Sequence, residues 1–181
     1  NGIKKVATLT SDYAPGNDAL NFFKQNFTAG GGEIVEEVKV PLQNPDFAPF
    51  LQRMKDAKPD AVFSFFAGGG AVKFVKDYAA AGLKKSIPLY GTGFLTDGTL
   101  EAQGEAAEGV QTTLHYADGL NTPRDNAFRL AYAKTYKLQP DVYAVQGYDA
   151  AQILGSGLAA VKGDVSKKTE FIAAARKARI D

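Results

Sequence analysis

The sequence predicts an α/β fold, a doubly wound parallel sheet followed by a helical segment, and three observations carry that prediction. Short apolar strands alternate with amphipathic helical stretches from Lys4 to Tyr116. One strand, AVFSFF at Ala61–Phe66, is apolar almost without a break, as suits a central parallel strand covered on both faces. After Pro123 the strand pattern stops and only helical periodicity remains. Repeated β-α-β units with short links make a parallel, doubly wound sheet. Right-handed crossovers then bring the carboxyl ends of the strands to one edge.

Element by element, Lys4–Ser11 (KKVATLTS) reads as the first strand, with Val6, Thr8 and Leu9 along it. Asn17–Ala29 places Leu20, Phe23 and Phe27 on one helical face and is stopped by Gly30–Gly32. Glu33–Pro41 alternates Ile34, Val38 and Val40 with charges, as an outer strand does. Asp46 is positioned to cap a helix from Phe47 that turns Phe50, Leu51 and Met54 inward. Pro59 and Asp60 turn the chain into the apolar strand, after which AGGG leads to a helix at Ala71–Ala81, closed by Gly82. Ile87–Gly93 is the fourth strand, a short helix spans about Thr99 to Ala106, and Gly109–Tyr116 is the fifth strand. The final helices are Asp125–Tyr136, Val142–Val161 and Ser166–Arg179. The middle one carries a single charge, Asp149, so it calls for burial on most sides, and residues 117–181 offer no sheet to bury it.

Composition narrows the function. The 181 residues are 45% hydrophobic, enough for a core, and 21 Lys and Arg nearly balance 20 Asp and Glu. Without a basic stripe, nucleic acid is not an expected partner. Apolar runs such as AVFSFFAGGGAV are too short and glycine-rich to span a bilayer. The absence of cysteine removes disulfides, thiol catalysis and Cys-bound zinc. No HExxH, GxSxG or Gly-Lys-Ser/Thr sequence is present, so no catalytic residue, cofactor or metal is expected. No signal peptide is visible, since Asn1 leads almost directly into a strand; either one was removed or the chain is an excerpt.

Three loops, SDYAPG, FFAGGG and YGTGFLTD, emerge at the predicted carboxyl edge, where open α/β sheets bind ligands. Tyr13 in the first either plugs the end of the sheet or touches a ligand. Phe66, Ala67 and Gly68 in the second read as a strand end and helix start, whose free N–H groups can hold an anion. Thr92 and Phe94 in the third belong to a tight turn; the GxG there lacks the third glycine of a dinucleotide site, Thr96 standing in its place. His115, the only histidine, is read as a structural strand residue, and Gln146 and Tyr148 as helix packing.

Taken in order, KKVATLTSDYAPGNDA, NPDFAPFLQRMKDAKPDAVFSFFAGG, AAGLKKSIPLYGTGF, EAAEGV and VYAVQGYDAAQIL resemble the periplasmic solute-binding proteins of branched-chain amino acid type ABC transporters, over essentially the whole chain. The resemblance implies one lobe of a two-lobed fold. Residues 1–115 are then the α/β ligand-binding lobe, 116–122 a hinge crossover, and 123–181 helices belonging to the other, amino-terminal lobe, whose strands are missing here. It implies that Tyr13 covers the ligand, with Phe66, Ala67, Gly68, Thr92 and Phe94 beside it. Relatives place an acidic side chain near Thr92 for the ligand's ammonium group and often a tyrosine in the second loop; this sequence has neither. The expected function is therefore periplasmic: an exported, non-enzymatic protein that delivers a small carboxylate to the membrane permease of an ABC importer. An aromatic or apolar acid is the first choice of ligand and a branched-chain amino acid the second. The alternatives are a ligand-sensing regulatory module of the same fold or an enzyme on a flavodoxin-like sheet.

Overall fold

The computed structural model of the protein describes residues 2–117 and 119–180, so Asp118 of the expected hinge crossover lies outside the described residues. The chain divides into two compact units, residues 1–115 and 116–181.

In the first unit the order is β1 (Lys5–Ser11), α1 (Ala14–Ala29), β2 (Glu33–Val40), α2 (Ala48–Asp56), β3 (Ala61–Phe65), α3 (Gly68–Ala80), β4 (Leu89–Thr92), a one-turn α4 (Leu100–Gln103) and β5 (Gln111–Thr113). Single 3-10 turns lie at Leu83–Lys85, Gly93–Leu95 and Gly104–Ala107. The strands form one parallel sheet in the order β2-β1-β3-β4-β5. The apolar strand β3 is therefore central, and the charge-alternating strand β2 lies at an edge.

Successive residues of a strand face opposite sides, and the register decides which. Val6 pairs with Ala61, Leu9 with Ser64 and Thr10 with Phe65. One face carries Ala7, Leu9, Val38, Val40, Val62 and Leu89 into a continuous core with Phe47, Leu51 and Met54 of the α2 segment and Phe74, Val75 and Tyr78 of α3. Aromatic packing fills it: Phe47 meets Phe66 edge-on at 5.2 Å, and Phe66 lies 4.6 Å from Phe74. Tyr78, buried among these rings, donates its hydroxyl to the Ile87 carbonyl at 2.9 Å, and burial pushes its phenol well above the usual range.

On the opposite face α1 lies against β3, with Phe23 stacked on Phe63 at 4.0 Å and 2°. Beyond α1 this face opens into an apolar groove of about 440 Å³ lined by Val6, Phe27, Phe63, Tyr90 and Thr113. Within this chain the sheet is thus covered fully on one side and partly on the other.

Several element ends differ from the sequence-based expectation. Helix α1 begins at Ala14 rather than Asn17, because Pro15 in the first turn is preset for helical geometry and lacks only an N–H that has no partner there. Helix α3 begins at Gly68 rather than Ala71, taking the glycines into its first turn. Helix α2 begins at Ala48 with Phe47 rather than Asp46 at the capping position and no side-chain cap; Asp46, one residue further out, accepts the Ala48 N–H at 3.0 Å in the turn that leads into the helix. Strand β5 ends at Thr113, three residues short of Tyr116, which belongs to the second unit.

The second unit consists of α5 (Pro123–Tyr136), α6 (Val142–Ala160) and α7 (Lys168–Lys177). Thr122 caps α5 through the Asp125 N–H at 3.1 Å, and Asp141 caps α6 through the Ala144 N–H at 2.9 Å. The Tyr116 hydroxyl donates to the buried Asp125 carboxylate at 3.0 Å, tying the start of the unit to its first helix. The burial that the composition of α6 calls for is not supplied here: only Val142 and Gly157 of that helix are buried. Tyr143, Ile153, Leu154 and Leu158 stay exposed, Leu154 at 52%. A second apolar groove, about 380 Å³, runs between Leu154 and Leu158 of α6 and Phe171 and Ile172 of α7.

Asp60 ties the start of β1 to the start of β3, accepting the N–H groups of Lys4 and Lys5, each at 2.8 Å. Those two donors hold its carboxyl below its ordinary value of 3.8. A group whose pKa is depressed on folding stabilises the fold above the unfolded value and loses that contribution as pH falls through the folded one. Asp60→Asn is therefore expected to lower the melting temperature at neutral pH, and the two proteins' curves to converge on acidification below about pH 4. Melting temperatures of both proteins across that range check it.

Candidate functional site

The parallel sheet puts the loops after β1, β3 and β4 on one edge, and the first unit gathers three aromatic rings there. Tyr13 follows β1, Phe65 is the last residue of β3, and Phe94 lies in the 3-10 turn after β4. The Phe65 ring is 6.0 Å from Tyr13 at 56° and 6.1 Å from Phe94 at 58°. Tilted contacts at these distances are favourable ring–ring geometries, each stabilising by about 0.5–1.5 kcal/mol. Tyr13 and Phe94 are half-buried, whereas Phe65 is 5% exposed.

Local sequence explains how Tyr13 reaches this place. The chain passes from β1 to α1 in two residues, Asp12 and Tyr13, with the Asp12 N–H bonded to the Val40 carbonyl at 2.7 Å and Tyr13 extended at the helix start. Such a tight turn brings the first turn of α1 down onto the strand end. A Cβ on Gly16 would sit 2.0 Å from the Ser11 carbonyl oxygen, so only glycine permits the approach.

Ala67 and Gly68 lie at the same edge. Ala67 is the extended residue before α3, no side chain caps the helix, and Gly68 adopts φ +55°, a conformation that favours glycine. The first N–H bonded within the helix is that of Ala71, to the Ala67 carbonyl at 3.3 Å. The N–H groups of Gly68, Gly69 and Gly70 thus have no helical acceptor and sit at the positive end of the helix dipole. Chemically, this is a terminus able to take a carboxylate.

Thr92 ends β4, one residue beyond the Ser64–Gly91 pair that sets the register with β3. Its hydroxyl is buried and accepts or donates no hydrogen bond among the described residues, as is true of Thr10, the residue paired with Phe65 on β1. Asp97, the nearest acidic candidate, is half-buried in the same turn, where its N–H bonds the Gly93 carbonyl at 2.8 Å.

The structure brings Tyr13, Ala67, Gly68, Thr92 and Phe94 to one edge and takes one predicted side chain away. Phe66 is 2% exposed and packed against Phe47 and Phe74 in the core, so its ring does not line the edge. Its neighbour Phe65 stands there instead. Both residues are phenylalanine, so nothing local to β3 distinguishes them; only the pairing of Thr10 with Phe65 assigns the faces. Among the other residues weighed, His115 is exposed, and Tyr148 packs on Phe128 at 4.8 Å within the second unit. Among the described residues no cluster of His, Cys, Asp or Glu is arranged to hold a metal ion.

Because the obstruction at Gly16 is a backbone oxygen, no rotamer change relieves it. Gly16→Ala is expected to destabilise the first unit by about 1–3 kcal/mol, the range for overpacking a filled site. Chemical denaturation measures that loss, and a displaced Tyr13 ring should alter the near-ultraviolet circular dichroism even in the fraction that folds.

Known proteins agree with this architecture. A family model described as periplasmic binding protein matches residues 1–181. The chain is 40% identical to a Leu/Ile/Val-binding protein homolog 6 of Brucella melitensis, over 94% of this chain and 46% of that protein. Among solved structures, a solute-binding protein of an ABC transporter from R. palustris in complex with benzoate matches at a TM-score of 0.94 and 46% identity, covering 99% of this chain and 49% of its own. Another, from Rhodopseudomonas palustris BisB5 in complex with 3,4-dihydroxybenzoic acid, matches at 0.87 and 53% identity, covering 96% and 48%. The chain thus spans about half the length of the relatives it matches. With a matching family model over its full length and a parallel sheet that assembles the expected edge, the chain belongs to the periplasmic binding protein family.

Proposed function

We propose that this chain is part of an extracytoplasmic solute-binding protein of an ABC importer, and that its first unit supplies one wall of a site for a small aromatic carboxylate. The observation that carries the reading is the Tyr13–Phe65–Phe94 array beside a neutral Thr92. Aromatic rings offer a flat apolar ligand large contact area and favourable quadrupole geometry. The uncapped start of α3 suits the negative charge such a ligand carries. An amino acid brings an ammonium group as well, and the resemblance implies that relatives meet it with an acidic residue where Thr92 stands. A buried ammonium without a partner costs several kcal/mol, which outweighs the gain from burying a leucine-sized side chain, about 1.5–3 kcal/mol. Benzoate and dihydroxybenzoate in the matched structures support the same ligand class.

The rest of the protein enters the proposal through what this chain leaves uncovered. The exposed apolar residues of α6 and α7 and the groove beside Tyr90 are faces for the half of the relatives' length that lies outside this chain. Residues 116–122 then form a hinge crossover, residues 123–181 pack on the other lobe, and closure of the lobes on the ligand presents the loaded form to the membrane permease. The mechanism needs binding and motion alone; only a ligand that prefers the closed form shifts the equilibrium.

Calorimetry on the full-length protein tests the ligand class. Benzoate or a hydroxybenzoate is expected to bind at least about 100-fold more tightly than leucine, the ratio equivalent to roughly 2.7 kcal/mol. Tighter binding of leucine overturns the reading. Thr92→Glu is expected to weaken benzoate binding by about tenfold or more, through like-charge repulsion in a desolvated site, and to narrow the preference over leucine.

A further inference from the structure

Of the three rings at the edge, two belong to connecting segments and one to the sheet. Tyr13 and Phe94 sit in the turns after β1 and β4, whereas Phe65 is the terminal residue of the central strand, held by its pairing with Thr10. Phe65 touches both other rings, at 6.0 and 6.1 Å and at nearly equal tilts of 56° and 58°. A ring wedged between two tilted rings holds them apart and sets the planes they present. The sheet holds the Phe65 backbone, and with the side chain 5% exposed the ring has little room to turn.

We propose that Phe65 is a positioning residue that determines selectivity: by fixing the spacing and tilt of Tyr13 and Phe94, it makes the site prefer a planar ring over a puckered or branched one. The inference rests on the reading of this edge as a carboxylate-binding wall and goes beyond it in assigning shape discrimination to a residue that itself lies mostly beneath the surface. Phe66 is the natural control. It is the adjacent phenylalanine, buried in the same unit, but its ring packs on Phe47 and Phe74 on the other face of the sheet.

The experiment compares benzoate with cyclohexanecarboxylate, two acids with the same number of heavy atoms and the same charge that differ in planarity. Dissociation constants for both are measured by calorimetry on the full-length protein and on Phe65→Leu, Phe65→Tyr and Phe66→Leu, together with melting temperatures. Wild type is expected to favour benzoate, and Phe65→Leu to reduce that preference by about tenfold, in the range expected when two ring–ring interactions disappear. Phe65→Tyr, which keeps the ring, should hold the preference within about threefold. Phe66→Leu should lower the melting temperature and leave the ratio within the same threefold. Should Phe65→Leu fail to fold, Phe65→Met, similar in volume and flexible, carries the same expectation. A ratio that Phe65→Leu leaves unchanged, or that Phe66→Leu shifts equally, overturns the assignment while leaving the carboxylate site standing. A wild-type protein that binds neither acid overturns both.

Discussion

The strict alternation of side chains along β3, combined with its central place in a parallel sheet, is the constraint from which the rest of the first unit follows. Its neighbours β1 and β4 lock its register, so one side of the strand must satisfy the core beneath α2 and α3 while the other meets α1 and the loop-bearing edge. Val62 and Phe66 go one way, Phe63 and Phe65 the other. A slip of one residue would exchange the two sets and empty both the core and the aromatic edge at once. The same strand end therefore places Phe66 in the core and Phe65 at the loop-bearing edge, two rings that share a backbone and meet different neighbours.

Around that strand the unit handles charge sparingly. Its ion pairs, such as Lys24 with Glu37 and Lys73 with Asp77, lie on half-exposed surface, where they contribute little. Near the candidate site the polar features are backbone N–H groups at the start of α3, the buried hydroxyls of Thr10 and Thr92, and the half-buried Asp97 in the turn after β4.

The second unit is organised by a different deficit. Its first two helices are capped, and Tyr116 is tied to Asp125, so the local structure is sound. Their apolar residues, however, outnumber what three helices can bury among themselves, and Leu154, Leu158 and Ile172 remain at the surface. Helices of this composition draw most of their stability from tertiary packing rather than propensity. A chain that spans about half of its relatives' length, with this kind of surface, is consistent with a fold completed by further polypeptide.

Much of this was legible in the sequence. Hydrophobic periodicity located every strand and helix of the first unit, and the continuous apolar run of AVFSFF predicted the central strand, because a parallel strand covered on both sides leaves that composition. The glycines and turn residues pointed to the three edge loops, and five of the six candidate residues lie at that edge. What local sequence could not decide was which of Phe65 and Phe66 faces the edge. Two identical adjacent residues carry no local signal, and the choice depends on pairing with Thr10, a partner far away along the chain. The helix starts at Ala14 and Gly68 were equally hidden, since proline and glycine read as breakers until the fold brings a strand end against them. Composition and period determined the elements and their order; only the tertiary register, a long-range property, decided which side chains meet.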